Sequence, residues 1–357
     1  MVDERVVLFS AGVYGLLFVL MLKNIKFEKI GGFLSEGMTG ELRGIGILLV
    51  VIGHIGVHVL GSSSNFLVLS SFGVSLFFIL SGFGLSRSYL KKKLVLREFA
   101  WNRINRVMIP YWLTTLLIFV LDYLVLAREY DFGTIILTLL GINLSLKAQL
   151  IDYVRWYITV QIMWYLVFFI VWPKFGPTER IIAFTIVGLV SLLLSYYWVP
   201  TGYAFLSFPF GIFLGLQYGK IESYYNRTPS NRLFITALGL LVGTCALAKY
   251  SLPHLMGIIP GIGIAVGYEI LYIIFSFGLI IFVSLAKPSR ILSFLGKYSY
   301  EIFLLHGVFM IRYDFILFKG PLILTFWPFC FSIVLIAIAM QKMVFDRVSF
   351  LVSRHMG

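Results

Sequence analysis

The chain alternates long apolar runs with short polar segments, and most runs have the length of membrane-spanning helices. A helix needs roughly 20 apolar residues to cross the hydrocarbon core of a bilayer. Such runs lie at residues 6–22, 42–60, 66–86, 107–127, 156–172, 181–199, 203–219, 233–248, 257–286, 298–311 and 321–340. A further apolar run, residues 132–146, is only about 14 residues long, which is short for a crossing. The pattern predicts an all-α fold, a polytopic integral membrane bundle of helices.

The distribution of basic residues decides whether the short run crosses. The most basic stretch, residues 87–106, carries seven Lys and Arg residues, and the positive-inside rule places it in the cytoplasm. If the run 132–146 dips in and returns to the same side, 22 of the 29 Lys and Arg residues lie on the cytoplasmic side and seven outside. A full crossing would reverse the later loops and move their eleven basic residues to the outside. The sequence therefore predicts a re-entrant segment, eleven crossings, an outer N-terminus and a cytoplasmic C-terminus.

This topology divides the chain into three parts. Residues 1–40 form an N-terminal membrane helix and a polar elbow, residues 41–345 the membrane core, and residues 346–357 a cytoplasmic tail. The first run lacks a basic leader and a small-residue cleavage motif, so we expect a retained helix in place of a signal peptide. The predicted location is the cytoplasmic (inner) membrane.

Composition agrees with the hydrophobic pattern. Hydrophobic residues make up 60% of the chain and charged residues 13%, about half the ~25% charged residues of a soluble domain. In a soluble protein the net charge of +13 would suggest a nucleic-acid partner, but here the cytoplasmic loops account for it. The expected partner is the lipid bilayer, with no nucleic acid. Cys245 and Cys330 lie within apolar runs, which predicts buried small hydrophobic residues with no disulfide.

One apolar run, residues 43–60, differs from the others because it contains Arg43, His54 and His58. Residues eleven apart on a helix lie within roughly 20° of each other, so Arg43 and His54 share a face about 16 Å apart. Ionisable groups within a membrane span are rare and usually face a bundle interior or a water-filled cavity. This run is predicted to carry the functional site. Glycines flank His54 in G-H-I-G and would allow a substrate or backbone to approach it closely.

Five motifs occur along the chain in one order. They are R-x10-H from Arg43 to His54, F-G-V-S-L-F-F-I-L-S-G-F at residues 72–83, R-x-x-R at Arg103 and Arg106, W-Y-I-T-V-Q-I-M-W-Y-L at residues 156–166, and L-G-K-Y-S-Y-E-I-F-L-L-H at residues 295–306. As an ordered set they resemble acyltransferase family 3, integral-membrane acyltransferases of which many O-acetylate bacterial surface glycans. The resemblance covers residues 41 to about 340. It implies a core of ten membrane helices with both ends cytoplasmic, to which the first helix is an addition.

Two positions depart from the commonest family pattern. Ser75 stands where many members have an acid in G-V-D-L-F-F, and Gln161 stands where many have the acid of W-S-L-x-x-E. These replacements remove any charge relay through those acids, although Gln161 can still form hydrogen bonds.

The resemblance implies acyl-CoA, with acetyl-CoA expected, as a co-substrate and no permanently bound cofactor. A histidine that titrates near neutrality suits a general base, and guanidinium groups bind phosphates through paired hydrogen bonds. His54 and Arg43 are therefore the candidate catalytic residues, and Arg103 and Arg106 the candidate donor-binding residues. Further candidates that would line the site are Ser81, Trp156, Gln161 and His306. No metal is expected, because His54 and His58 have no evident third ligand.

The leading hypothesis is a membrane O-acyltransferase that moves an acyl group from cytoplasmic acyl-CoA to a hydroxyl of a cell-surface or lipid-linked glycan. The alternative is a transporter or flippase for a lipid-linked sugar or polysaccharide, since re-entrant segments and intramembrane charges also mark translocation pathways. The sequence shows no repeated halves, and its clustered motifs favour the enzyme.

Overall fold

The structure, a computed structural model, describes residue 29 and residues 32–60, 66–144, 151–198, 204–248, 261–316 and 322–342. These ranges are almost entirely helical. The predicted first helix, residues 6–22, and the predicted tail, residues 346–357, lie outside them. The described helices are α1 (Glu36–Leu60), α2 (Phe66–Lys91), α3 (Leu96–Arg103), α4 (Ile109–Leu126), α5 (Phe132–Leu139), α6 (Trp156–Val171), α7 (Pro177–Trp198), α8 (Ser207–Leu216), α9 (Tyr218–Arg227), α10 (Ser230–Ala246), α11 (Gly261–Ser284), α12 (Arg290–Lys297), α13 (Ser299–Arg312) and α14 (Leu322–Met340).

Each of the ten spans predicted for the core coincides with a helix, which confirms the all-α membrane fold. Six described helical stretches are long and apolar enough to cross a bilayer. Helix α12 was not predicted, because residues 290–297 are polar enough to resemble a loop. The prediction that both cysteines are buried is wrong for Cys245, which is exposed on α10.

The predicted span 203–219 is shorter than expected. Helix α8 has 10 residues, about 15 Å of rise, and gives way at Gln217 to α9. Glu269 of α11 is fully buried and caps α8, since its carboxylate accepts the backbone N–H groups of Phe205 (3.0 Å) and Leu206 (2.9 Å). This bonding accounts for an acid within an apolar span.

The basic stretch 87–106 is largely helical, although the sequence suggested a loop. Helix α2 continues to Lys91 and α3 begins at Leu96, so Arg103 and Arg106 belong to a helix that runs on into α4. A π-turn over Ile104–Met108 joins α3 to α4. Pro110 lies at the start of α4 and has no N–H, so one α-helical hydrogen bond is missing where the helix widens.

The described residues fall into two compact units. The His54 unit comprises residues 29–93 and 170–297, and its central helix is α2, which packs against α1, α8 and α11. Leu76, Phe78 and Ile79 of α2 are fully buried, and Phe72 stacks on Phe275 of α11 with ring centroids 3.8 Å apart. A helix covered on several sides needs apolar residues all round, which is the composition of α2.

A polar elbow before α1 is fastened to α9 within the His54 unit. The Tyr218 hydroxyl lies 2.9 Å from the carbonyl oxygen of Phe33 and 2.8 Å from the carboxylate of Glu222. The guanidinium of Arg87 covers the Tyr218 ring at 4.2 Å. Burial and the hydrogen bond to Glu222 raise the pKa of Tyr218 to about 12. The phenol therefore stays a neutral donor at physiological pH.

The His306 unit comprises residues 94–169 and 298–342 of the described chain, including α3 to α5, most of α6, α13 and α14. Helix α13 packs against α4 and α14. Ile118, Ile151, Val308 and Tyr313 form a buried apolar cluster that joins α4, the start of the α6 segment and α13. The cluster packs α13 against α4 two residues after His306, at Val308.

Polar contacts place the segment after α4 back alongside α4. Near the start of α4 the Trp112 indole donates to the carbonyl oxygen of Leu139 (2.7 Å). Near its other end, Arg312 binds both Asp122 and the carbonyl oxygen of Ile151. Trp112 and Asp122 are about 15 Å apart along the helix. The chain therefore descends beside α4 and is back at the level of Asp122 by Ile151, as a re-entrant segment requires.

Candidate active site

Helix α1 carries Arg43 and His54 without a break, so the predicted shared face and separation of about 16 Å hold in the His54 unit. His54 is buried, with 7% of its surface exposed. Arg43 is exposed and His58 half-buried. One helix thus presents an imidazole to the apolar interior and a guanidinium, which can bind an anion, to its surroundings.

The glycines beside His54 admit a neighbouring helix, one of the two roles that the sequence suggested. A Cβ on Gly53 would overlap the backbone nitrogen of Ser70, and one on Gly56 would overlap the ring of Phe66. Both neighbours belong to α2. The glycines therefore let α2 pack closely on α1 beside His54, which is the backbone approach that the sequence allowed for.

Two motif glycines join α1 to α12. A Cβ on Gly44 would overlap the carbonyl oxygen of Leu292, and a Cβ on Gly296 would overlap that of Gly40. Gly44 follows Arg43 in the R-x10-H motif, and Gly296 belongs to the L-G-K-Y motif. These two motifs, far apart in sequence, thus meet next to Arg43.

Ser75 and Ser81 lie on α2. Ser75 is fully buried, and its hydroxyl lies 2.8 Å from that of Ser207 on α8 and 3.2 Å from that of Ser276 on α11. The serine that replaces a commoner acid therefore links three helices through hydroxyl groups. Ser81 is half-buried, about one and a half turns further along α2.

Arg103 and Arg106 differ in their surroundings within the His306 unit. The Arg103 guanidinium is half-buried and lies 5.2 Å from the ring centre of Tyr165 and 5.7 Å from that of Phe99. Its Nε is buried and has no hydrogen-bond partner among the described residues. Arg106 is exposed on the π-turn. Aromatic rings thus hold Arg103, whose Nε–H can still donate a hydrogen bond, whereas Arg106 is exposed.

Helix α6 carries Trp156 and Gln161. Trp156 is half-buried at its first position. Gln161 is buried, and its amide oxygen accepts a hydrogen bond from the Tyr157 hydroxyl at 3.1 Å. Gln161 therefore forms a hydrogen bond, as the sequence allowed for an amide at this position.

His306 lies on α13 with 1% of its surface exposed. Its Nδ1 is 2.7 Å from the carbonyl oxygen of Phe303, and a carbonyl can only accept, so Nδ1 carries the proton. In the neutral tautomer that this bond selects, Nε2 is the lone-pair nitrogen. The Phe303 ring also lies 4.9 Å from the ring of Tyr157, which connects α13 to the Gln161 region of α6.

In the His306 unit, helix α6 is the element that connects the predicted residues. Its Tyr165 covers Arg103, and its Tyr157 contacts both Gln161 and the α13 segment that bears His306. In the His54 unit, α1 and α2 bring Arg43, His54 and Ser81 onto two adjoining helices. Within the described ranges no three His, Cys, Asp or Glu residues are grouped as metal ligands.

Sequence reasoning missed Asp152 and Arg155. Both are fully buried in the structure, 3.7 Å apart from Nε to Oδ2, although Arg155 was counted among the outer-loop charges. The available signal was position, since Arg155 directly precedes the W-Y-I-T motif and Asp152 lies one helical turn before it.

The chain was also compared with known proteins. A family model described as an acyltransferase domain, Acyl_transf_3, matches residues 42–342. No curated protein and no solved structure matches the chain.

Proposed function

Because the chain belongs to acyltransferase family 3, we propose that this membrane acyltransferase moves an acyl group from cytoplasmic acyl-CoA to a hydroxyl of a cell-surface or lipid-linked glycan. Acetyl is the expected acyl group. The observation that carries the proposal is His54, a buried imidazole within a membrane helix of an acyltransferase. Such a group is expensive to keep in a membrane span, and the ionisable residues found there usually have a function.

In this reaction the neutral imidazole of His54 takes the proton of the acceptor hydroxyl. The oxygen attacks the thioester carbonyl, a C–O bond forms, the C–S bond breaks, and CoA leaves as a thiolate that takes up a proton. General base catalysis needs a lone-pair nitrogen within hydrogen-bond reach of the hydroxyl. We propose that four further residues contact the substrates: Ser81, Trp156, Gln161 and His306.

The arginines are proposed to bind the anionic part of acyl-CoA. Guanidinium binds phosphate through two parallel hydrogen bonds. Arg103 has a buried Nε without a partner in the described part of the chain, and aromatic rings fix its orientation. Arg106 and Arg43 are exposed and can reach a ligand without first being uncovered. We therefore assign the donor phosphates to Arg103 and Arg106, and charge stabilisation near the reaction to Arg43.

The test is incubation of the purified protein with acetyl-CoA labelled in the acetyl group, with candidate glycans present or absent. The proposal expects the label to move to a glycan, or the donor to be hydrolysed slowly when no acceptor is present. Glycan translocation in vesicles without any use of donor would contradict it and support a flippase. Comparing acetyl-CoA with longer acyl-CoA donors identifies the acyl group.

A further inference from the structure

Arg155 is a charged side chain in the interior of the His306 unit. It has 0% of its surface exposed and lies in the stretch Tyr153–Val171 that can span a membrane. Its partner Thr115 is the seventh residue of α4, about 9 Å along the axis from the start of that helix. Ionisable groups at such depth are costly and usually functional.

Each nitrogen of the guanidinium faces a protein group. Nη1 donates to the Thr115 hydroxyl of α4 at 2.6 Å, and Nη2 to the carbonyl oxygen of Leu304 of α13 at 3.4 Å. Nε lies 3.7 Å from Oδ2 of Asp152, one turn earlier in its own segment. The side chain thus bridges α4 and α13 and is turned towards the protein, which argues against a ligand-binding role.

Asp152 contacts α13 from a second direction. Its carboxylate accepts the backbone N–H of Val154 at 2.9 Å, which fixes the turn before α6. A Cβ on Gly307 would lie 2.5 Å from both carboxylate oxygens, so the carboxylate is directly against the α13 backbone. Arg155 contacts α13 at Leu304 and Asp152 contacts it at Gly307, so the two contacts flank His306 in the sequence.

Stability alone does not explain this pair. A buried ion pair is often replaced by apolar residues at no loss of stability, because desolvation offsets the Coulomb attraction. Here the Nε and Oδ2 atoms are too far apart for a hydrogen bond, and neither atom has a hydrogen-bond partner in the described ranges. A pair that adds little stability can still fix the position of a helix.

We propose that Arg155, oriented by Asp152, is a positioning residue that locks α13 against α4 and so holds His306 in the geometry that acyl transfer needs. The catalytic part of this inference rests on the proposed function. The lock itself rests only on the contacts of the His306 unit.

Thr115→Val tests the lock without changing a charge or the side-chain shape, and Thr114→Val is its matched control. Both threonines are buried on α4, but the Thr114 hydroxyl bonds only within the helix, to the carbonyl oxygen of Pro110 at 2.8 Å. Misplacement by about 1 Å can cost on the order of 100-fold in rate even when the mutation lies far from the chemistry. We expect Thr115→Val to lower kcat by at least about 10-fold with an unchanged KM for acyl-CoA. Thr114→Val and Thr115→Ser should keep the wild-type kcat.

Hydrogen exchange of residues 299–312 in detergent provides a readout that does not need activity. Thr115→Val should speed exchange in α13 and leave α1 unchanged, whereas Thr114→Val should change neither. Wild-type exchange in Thr115→Val would overturn the lock. Faster exchange with an unchanged kcat would overturn its catalytic role. If the wild-type protein transfers no acyl group, the proposed function fails while exchange still decides the lock. If Thr115→Val does not fold, Arg155→Lys, which keeps the charge but loses the planar fork, carries the same expectations.

Discussion

At the scale of single residues, the surroundings of His54 determine what its removal should do. The imidazole is buried on α1, and its neighbour one turn away, His58, is half-buried on the same helix. Two histidines of one helix thus offer a candidate base and an internal control.

His54→Ala should abolish measurable transfer while donor binding persists, because loss of a general base typically costs about 100- to 10,000-fold in rate. Gln should not rescue, since an amide forms hydrogen bonds but cannot take the proton. His58→Ala should keep most of the activity. The measurement is transfer of labelled acetyl, with acyl-CoA binding assayed in parallel. Near-wild-type transfer by His54→Gln would move the base assignment, with His306 the next candidate.

Arg103 and Arg106 should both contribute to donor binding. Replacing either by Ala should weaken acyl-CoA binding by roughly 1.5 to 3 kcal/mol, the usual value of a hydrogen bond to a charged group. Lys should rescue only in part, because it lacks the bidentate fork. Arg97→Ala is the control, since Arg97 is exposed on the same helix but lies outside the R-x-x-R motif. Acyl-CoA affinity is measured by calorimetry. Equal affinities of the wild type and all three Ala variants would show that Arg103 and Arg106 serve only as topological anchors.

At the scale of elements, close contact between helices depends on glycines whose importance is visible only in three dimensions. Helix α12 lies against α1 because Gly44 and Gly296 leave room for the carbonyl oxygens of the facing backbone. The contact lies beside Arg43, because Gly44 directly follows that residue.

Gly44→Ala should destabilise the protein by about 1 to 3 kcal/mol, the usual cost of overpacking, because the facing atom is backbone and cannot rotate away. Gly37→Ala on the same helix is the control, since a Cβ there meets nothing within 4 Å. We expect that change to be neutral or to stabilise the helix by about 0.5 to 1 kcal/mol. Thermal unfolding in detergent compares the two. An unchanged midpoint for Gly44→Ala would mean that α12 moves away from α1 at no cost.

At the scale of the whole molecule, two burials refine the topological argument. Two of the seven residues counted as outer basic residues have buried side chains: that of Arg155 is 0% exposed, and that of Arg312, which pairs with Asp122, is 6% exposed. Residues bonded inside the protein carry no information about loop charge. In the predicted topology, the outer loops then hold fewer basic residues than the sequence count suggested, which increases the predicted charge asymmetry.

Cysteines introduced at Ser63 and Ser230 should react with a membrane-impermeant reagent from opposite sides, with Ser63 outside. Ser63 lies outside the described residues, in the link between α1 and α2, and Ser230 begins α10. Labelling is measured in intact cells and in inverted vesicles, after Cys245 and Cys330 have been replaced. Reaction of both sites from one side would refute the topology.

The sequence by itself determined the properties that depend on neighbouring residues. Hydrophobic length placed ten helices of the core, and the short run 132–146 gave a helix, α5, of only 8 residues. The motifs identified the family, and the rarity of charge in a span drew attention to His54. Each span and each motif is complete within a few turns of helix, and the order of the motifs along the chain needs no knowledge of the fold.

Only the tertiary structure decided which distant residues meet. It filled the glycine face beside His54 with α2, docked the polar helix α12 on α1, and made a buried bridge of Arg155, which reads as a loop charge in the sequence. The physical reason is that burial and hydrogen-bond partners belong to pairs of segments separated by tens to hundreds of residues, and a single sequence specifies such pairs only through its fold.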